Sequence, residues 1–433
     1  MKPTFAEAFR FWLKLGFVNF GGPAGQIALM HDELVERRKW ISEPRFLHAL
    51  NYCMLLPGPE AMQLATYVGW LLHGTRGGLA AGLLFILPGA LLMLLLTAVY
   101  AAWGEVAAIA GVVHGLKIAV VALVAAAVIR IGRKALKNPA LWAIATTAFV
   151  SMFFFNVSFA IVVPAAAVAG AIGFRLRPGA FKPLEASKDD AVLDSPAPSW
   201  SRFVLVTALH LALWAAPILA LGLWRGWSDT YVRLALFFSL AAMVTFGGAY
   251  AVLSYVAQAA VGTYHWMREG EMAVGLGLAE STPGPLILVV QFVGFLAAFH
   301  ANGDSLAAGS LGAAVVLWVT FVPCFLWIFL GAPYVERLRG RPALDAMMTA
   351  ITAAVVGVIL NLALWLALRV LFREVAIERL GPLVLNVPRS LDWLAFLAAA
   401  VAFVGIARWK WNMIAVVGVF ALLGLAARLI AVK

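Results

Sequence analysis

The sequence predicts an all-α protein that crosses a membrane many times. It predicts two homologous halves in inverted topology, with broken or re-entrant helices at FGG and PGP motifs. Three observations carry this: an apolar composition, a repeated set of Gly-Pro breaks, and loops of opposite charge at matching places. The chain is 64% apolar and 12% charged, with a mean hydropathy of +0.94. A globular domain is nearer half apolar and a quarter charged.

Charge-poor runs long enough to span lie at 78–103, 106–129, 141–155, 158–174, 203–223, 306–330, 344–368, 391–407 and 412–427. The shortest of them needs interfacial flanks to reach the ~20 residues of a spanning helix. Net charge is +11. Most Lys and Arg fall between the apolar runs, as the positive-inside rule requires, so the basic balance sets topology and implies a lipid bilayer rather than nucleic acid. Cys53 and Cys324 sit in apolar sequence without partner spacing, which argues against a disulfide framework or a zinc site. Residues 1–14 carry Arg10 and Lys14 among aromatics and show no small-residue cleavage site.

The repeat is read from the breaks. Phe20, Trp40 and Pro57 recur 226 residues later as Phe246, Trp266 and Pro283. After the PGP motifs the offset becomes 235, matching Pro88 to Pro323 and Val120-Val121 to Val355-Val356. The resulting organisation is a first repeat over 1–174, a cytoplasmic linker over 175–202, a connecting span over 203–230 and a second repeat over 231–433. The linker is rich in Pro, Ser, Asp and Lys, with five basic and four acidic residues between Arg175 and Arg202.

Loop charges orient the halves. Residues 130–138 hold four basic residues and no acid, which places them in the cytoplasm. Residues 101–116 hold no Lys or Arg, whereas their counterpart at 331–345 holds Arg337, Arg339 and Arg341. The 156–157 turn is uncharged, and its counterpart carries Arg408 and Lys410. Opposite character at matched loops argues for inversion, with 203–223 supplying the flip. The 369–392 loop dissents: it should be outside yet holds four basic and three acidic residues. The N-terminus is expected inside and the C-terminus outside. The segments 5–30 and 46–72 each read as a span broken in the middle or as a re-entrant hairpin of two half-helices.

Gly and Pro inside apolar segments are costly in a helix. A matched pair of such breaks in two halves is the sequence signature of a substrate site at the membrane midplane. The candidate binding residues are Asn19, Gly21, Gly22, Pro23, Pro57, Gly58, Pro59 and Gln63 in the first half. In the second they are Gly247, Gly248, Thr282, Pro283, Gly284, Pro285 and Gln291. Broken helices aim free N–H groups and a positive dipole end at an anion. Pro23, Pro59 and Pro285 fit the first turn of a restarting helix. Single breaks of this kind also serve helix packing, and the glutamines equally serve as glue between helices. Lys117, in an apolar span, is the candidate counter-cation, with snorkelling to the outer surface as its alternative. Glu60, just after one PGP, and Glu280, three residues before the other, are candidates for proton coupling. An intramembrane carboxylate is costly, and desolvation favours its neutral form. Each could instead cap a helix.

At these motifs the chain resembles the chromate ion transporter family in its long, two-domain form. The resemblance rests on Asn19–Pro23, Leu55–Ala61 with Gln63 and Tyr67, and Phe85–Gly89. In the second half it rests on Thr245–Tyr250, Glu280–Pro285, Gln291–Gly294 and Ile351–Asn361. It covers about residues 9–366. FGG or PGP alone is weak evidence; together the motifs are specific. The resemblance implies a secondary carrier that exports chromate across a bacterial inner membrane and confers chromate resistance, with sulfate as the competing oxyanion. The same fold moving sulfate or another oxyanion stays open, as does an oxyanion channel. An enzyme is disfavoured, since the seven histidines are scattered without HxxxH or HExxH spacing. There is no GxxxxGK[ST] motif, and no cofactor or metal is expected.

Overall fold

The computed structural model describes residues 3–20, 22–176, 178–181, 200–246, 249–331, 342–381 and 383–431. The described chain is helical throughout except for one β-hairpin. The first half contains α1 (Phe5–Val18), α2 (Gly22–His31), a π-helical turn (Asp32–Arg37), α3 (Glu43–Leu55) and α4 (Glu60–Trp103). It continues with α5 (Ala107–Ala135), α6 (Pro139–Phe155) and α7 (Phe159–Leu176). After α8 (Trp200–Arg225) the second half contains α9 (Thr230–Val244), α10 (Ala249–Gln258), a second π-helical turn (Ala259–Thr263) and α11 (Glu271–Ser281). A short 3-10 turn (Leu286–Leu288) leads into α12 (Val289–Ala301), followed by α13 (Leu306–Gly331) and α14 (Pro342–Leu371). The chain ends with β1 (Phe372–Leu380), β2 (Leu383–Leu391), α15 (Trp393–Trp409) and α16 (Met413–Ala431). Seven of these helices are long and apolar enough to cross a membrane.

Apart from the β-hairpin, the helices of the two halves correspond in order, down to a π-helical turn at the same place in each. The breaks fall at the motifs. Helix α1 stops at Val18 and α2 starts at Gly22; α3 stops at Leu55 and α4 starts at Glu60. In the second half α9 stops at Val244 and α10 starts at Ala249, and Pro283–Pro285 separates α11 from its continuation. Helices α2, α3, α10 and α11 have 10, 13, 10 and 11 residues. At ~1.5 Å per residue none of them alone spans a hydrocarbon core of ~30 Å. Helix α4 is itself broken at His73–Gly74, where Gly74 takes φ 62°. Gly69 and Gly77 face each other across this break, so its two parts pack side by side. The counterpart is the pair α12 and α13, with Gly294 against Gly312.

The described chain forms two compact units, and each draws segments from both halves. The first comprises Met1–Leu95, Pro183–Ala249 and Thr282–Arg341. Its α1 begins with a capping box between Thr4 and Glu7 and buries Phe11, Trp12 and Leu15. The second comprises Leu96–Lys182, Tyr250–Ser281 and Pro342–Lys433. Small residues set its close helix crossings. Gly111 and Gly115 on α5 meet Gly424 and the Phe420 carbonyl on α16. The equivalent positions of the other half do the same: Ala346 and Ala350 on α14 meet Gly170 on α7. Spacing small residues four apart on one face is what lets helices approach closely in lipid.

Two expectations need correction. The 369–392 segment is not an open loop: β1 and β2 form an antiparallel hairpin pairing Phe372 with Leu391 and Leu380 with Leu383. Pro59 and Pro285 sit immediately before their helices rather than inside the first turn, since Gln63 N donates to Pro59 O at 3.0 Å and Leu288 N to Pro285 O at 2.9 Å. The position suits proline because a capping residue contributes its carbonyl and needs no N–H. Pro23 does lie in the first turn of α2.

Candidate functional site

In the first unit the breaks of the two halves cap each other. Gly284 N donates to Asn19 Oδ1 at 2.6 Å. Gly58 N donates to Thr245 O at 2.8 Å. Asn19 and Thr245 occupy equivalent positions of the repeat, as do Gly58 and Gly284. The FGG break of each half therefore satisfies the PGP break of the other. Asn19 is fully buried and also donates from Nδ2 to Phe85 O at 3.3 Å.

Both PGP glycines hold backbone that other residues resist: φ is 127° at Gly58 and 102° at Gly284. They are also tightly enclosed. A Cβ at Gly58 would stand 2.8 Å from Cys324 Sγ and 2.8 Å from Gln63 Nε2. A Cβ at Gly284 would stand 2.9 Å from Leu288 Cδ1 and 3.6 Å from Gly89 Cα. Cys324 and Gly89 are again equivalent, each following the proline inside its helix. A Cβ on Gly89 would run into the Pro283 carbonyl.

Three buried glutamines brace this frame. Gln26 Nε2 donates to Gly284 O at 2.6 Å and to Asn19 O at 2.8 Å. Gln63 Nε2 donates to Pro57 O at 2.8 Å, and Gln291 Nε2 to Ala90 O at 3.0 Å. The Oε1 atoms of all three are buried with no partner among the described residues. The sequence pattern offered these side chains as donors to an anion or as glue between helices. In this conformation their described amide bonds go to main-chain carbonyls. Main-chain amides without an intrahelical acceptor lie at the start of α4. Gln63 N makes the first intrahelical bond there, so the amides of Glu60, Ala61 and Met62 precede it. Glu60 itself is partly buried at the first helical position.

The other predicted residues divide as follows. Thr282 is buried, and Gly22 has φ 68°. Gly21, Gly247 and Gly248 lie outside the described residues. Lys117 and Glu280 belong to the second unit. There Lys117 Nζ stands 3.1 Å from the Cβ position of Gly270, and Glu271 is its electrostatic partner. Glu271 accepts from Arg268 N at 2.7 Å and from Tyr100 Oη at 3.3 Å. Glu280 is buried and accepts a hydrogen bond from Tyr250 Oη, also buried, while Arg130 contributes a favourable charge. Tyr250 has a role the sequence reading did not assign, although it stands in the quoted FGGAY motif. Neither residue of this pair recurs in the first half, where Ala24 and Met54 take the positions. A grouping able to hold a metal is His31, Glu36 and Glu43, whose ligand atoms lie within 4.8 Å of one another. It is partly exposed, and His31 Nε2 is already 2.5 Å from Glu43 Oε2.

The crossed caps differ in kind, which makes them separable. Asn19→Ala removes a side-chain acceptor and strands the buried Gly284 N–H, at a cost of about 1–3 kcal/mol. Thr245→Ala keeps the main-chain acceptor and loses only a bond from Thr245 Oγ1 to Ala241 O, so it should stay within about 0.5 kcal/mol of the parent. Thermal unfolding of the two variants in detergent measures the difference; equal effects would mean the Asn19 cap contributes nothing.

The family model for chromate transporters matches residues 6–173 and 232–425. A chromate transport protein of Pseudomonas aeruginosa is 32% identical over 99% of this chain and 92% of its own length. One from Cupriavidus metallidurans is 29% identical over 84% of this chain and 83% of its own length. No solved structure matches. With both halves covered by one family model, and a relative aligned over almost its whole length, this multi-pass membrane protein belongs to the chromate transporter family.

Proposed function

We propose that the chain is a secondary carrier that exports chromate from the cytoplasm and thereby confers chromate resistance. The observation that carries this is the pair of crossed, glycine-enclosed helix breaks in the first unit. Chromate is a tetrahedral dianion. A site for it in a membrane needs N–H donors, a positive dipole end and close approach of backbone. The start of α4 supplies the three amides before Gln63. Gly58 and Gly284 supply the approach. The bonds from Gly58 N and Gly284 N to the opposite half hold the two breaks together. The side-chain amides of Gln63 and Gln291 tie the breaks to α4, and Asn19 ties the two motifs to each other. Sulfate has the same shape and charge and is the expected competitor.

Proton coupling is assigned to the carboxyl groups. Glu60 stands at the same helix start as the proposed anion, so its charge opposes a dianion and its protonation admits one. Glu280 is held by Tyr250 in the second unit, with Arg130 as its nearby favourable charge. Inverted topology is part of the reading, with the N-terminus cytoplasmic and the C-terminus periplasmic. Its support is the opposite charge of matched loops, together with the way equivalent helices exchange partners: α5 with α16, α14 with α7.

Gly58→Ala and Gly284→Ala should each lower chromate flux about ten-fold or more, because a Cβ at positive φ costs about 1–2 kcal/mol and also blocks the oxyanion. Both are to be measured in proteoliposomes beside a check that the protein stays monodisperse. Normal flux in both variants would move the site elsewhere.

Glu280→Gln should uncouple flux from a pH gradient while preserving exchange of labelled chromate for unlabelled chromate. Glu60→Gln is the paired control. If both variants keep the parent's dependence on the gradient, neither carboxyl carries the proton.

Single cysteines at 101–110 and at 334–342, in a background lacking Cys53 and Cys324, should label from opposite sides of the membrane. The second segment lies mostly outside the described residues, so labelling is the direct route. Labelling of both from one side would exclude inversion.

A further inference from the structure

The second unit has a feature that transport does not use. A cleft of about 430 Å³ opens between α5, α6 and α14. Its walls are apolar: Val128 on α5, Trp142 and Phe149 on α6, Val356 and Leu360 on α14. Gly357 draws α14 onto α6, where a Cβ would collide with the Ala145 carbonyl. Gly132 and Ala145 leave the floor without bulk. The lining reaches Leu136, next to the short 136–138 connection between α5 and α6. Trp142 is 58% exposed, and Ile129, Thr146 and Leu360 are exposed as well, so the cleft opens sideways along the helices. In a membrane protein that direction is lipid.

One end of the cleft is charged. Arg133 lines it, is exposed and makes no ion pair among the described residues. Arg130, Lys134 and Lys137 flank it, and no acid occurs between Arg130 and Asn138. Trp142 stands near the same end, one turn into α6, where an indole marks headgroup depth. An apolar slot that ends at an exposed guanidinium with no ion pair among the described residues, at headgroup depth, fits one class of molecule. A guanidinium there can take a phosphate with two parallel hydrogen bonds. Basic pockets between membrane helices are built for anionic headgroups.

We propose that this cleft binds an anionic phospholipid, with an acyl chain along the α5–α6 slot and its phosphate on Arg133. The other half lacks the equipment. Leu368 stands at the position equivalent to Arg133, and Phe396 at the position equivalent to Trp142. The site is therefore single, and the lipid it selects lies in the leaflet that faces the 130–138 loop.

The test uses the full chain reconstituted in phosphatidylcholine vesicles. These are doped with phosphatidylglycerol or phosphatidylcholine that carries a photoactivatable diazirine in the acyl chain. Labelled peptides are mapped by mass spectrometry. Phosphatidylglycerol should label the 142–149 and 356–360 segments about five-fold more than phosphatidylcholine. Arg133→Ala should bring the two lipids level. Thr146→Trp, which fills the slot and leaves the charges, should reduce labelling by both. Equal labelling by the two lipids in the parent protein would mean ordinary boundary lipid and overturn the proposal. So would an unchanged preference in Arg133→Ala, a surface substitution that leaves folding intact. Protection of both segments through contact with a second copy of the chain would overturn it too.

Discussion

Every break in a membrane helix leaves N–H and carbonyl groups without partners, and lipid offers none. That constraint organises the first unit. Its chain is broken at both FGG and PGP positions, and the PGP glycine amide of each half is satisfied by the other. Asn19 and Thr245 do this from the same place in the repeat, one with a side chain and one with a carbonyl. Gln26 then ties the Asn19 and Gly284 carbonyls together. The breaks survive in a hydrocarbon environment because they are paired. Once paired, they fix where Gly58 and Gly284 stand. Their positive φ and their contacts with Gln63, Cys324 and Leu288 follow from that position.

The second unit meets the same problem with packing rather than capping. Its long helices α5, α14 and α16 are continuous, so most of their backbone is satisfied within each one. What holds them together is close approach at Gly111, Gly115 and Gly424, and at Ala346, Ala350 and Gly170. Again equivalent residues of the two halves make the contacts. Lipid tails are as apolar as the side chains they would replace, so dispersion and fit carry the association. Some of the unit's charges are answered. Glu271 faces Lys117 and Tyr100, and Arg369 lies over Trp365 while pairing with Glu269 at 3.2 Å.

Much of this was written in the sequence. Gly and Pro inside apolar runs mark helix breaks because their backbone cost is local, and the structure breaks within a residue or two of each motif. The repeat was legible because matched residues recur at fixed offsets. Other features depend on contacts between distant residues. Nothing near Asn19 indicates that its acceptor faces residue 284. Tyr250 reads as part of a motif until it is found against Glu280. Lys117 was read as a lone cation because its partner lies more than a hundred residues away in sequence. The π-helical turns at Asp32–Arg37 and Ala259–Thr263 leave no compositional trace, since one half is charged there and the other is not. The β-hairpin leaves no clear trace either, because neither Phe372–Leu380 nor Leu383–Leu391 alternates apolar with polar residues.

The crossed caps also bear on how such a chain could arise. A protein made of one repeat would present a PGP amide whose acceptor lies in a repeat it does not possess. It could satisfy that amide only by meeting a second copy, and both copies would have to carry every residue the pair needed. Fusion of the two into one chain removes that requirement. Each half is then free to lose what the other retains. Glu280 and Tyr250 on one side, with Met54 and Ala24 on the other, are what such a division of labour leaves behind. A symmetric ancestor would have carried two such carboxyls or none, and joining the halves made it possible to keep one.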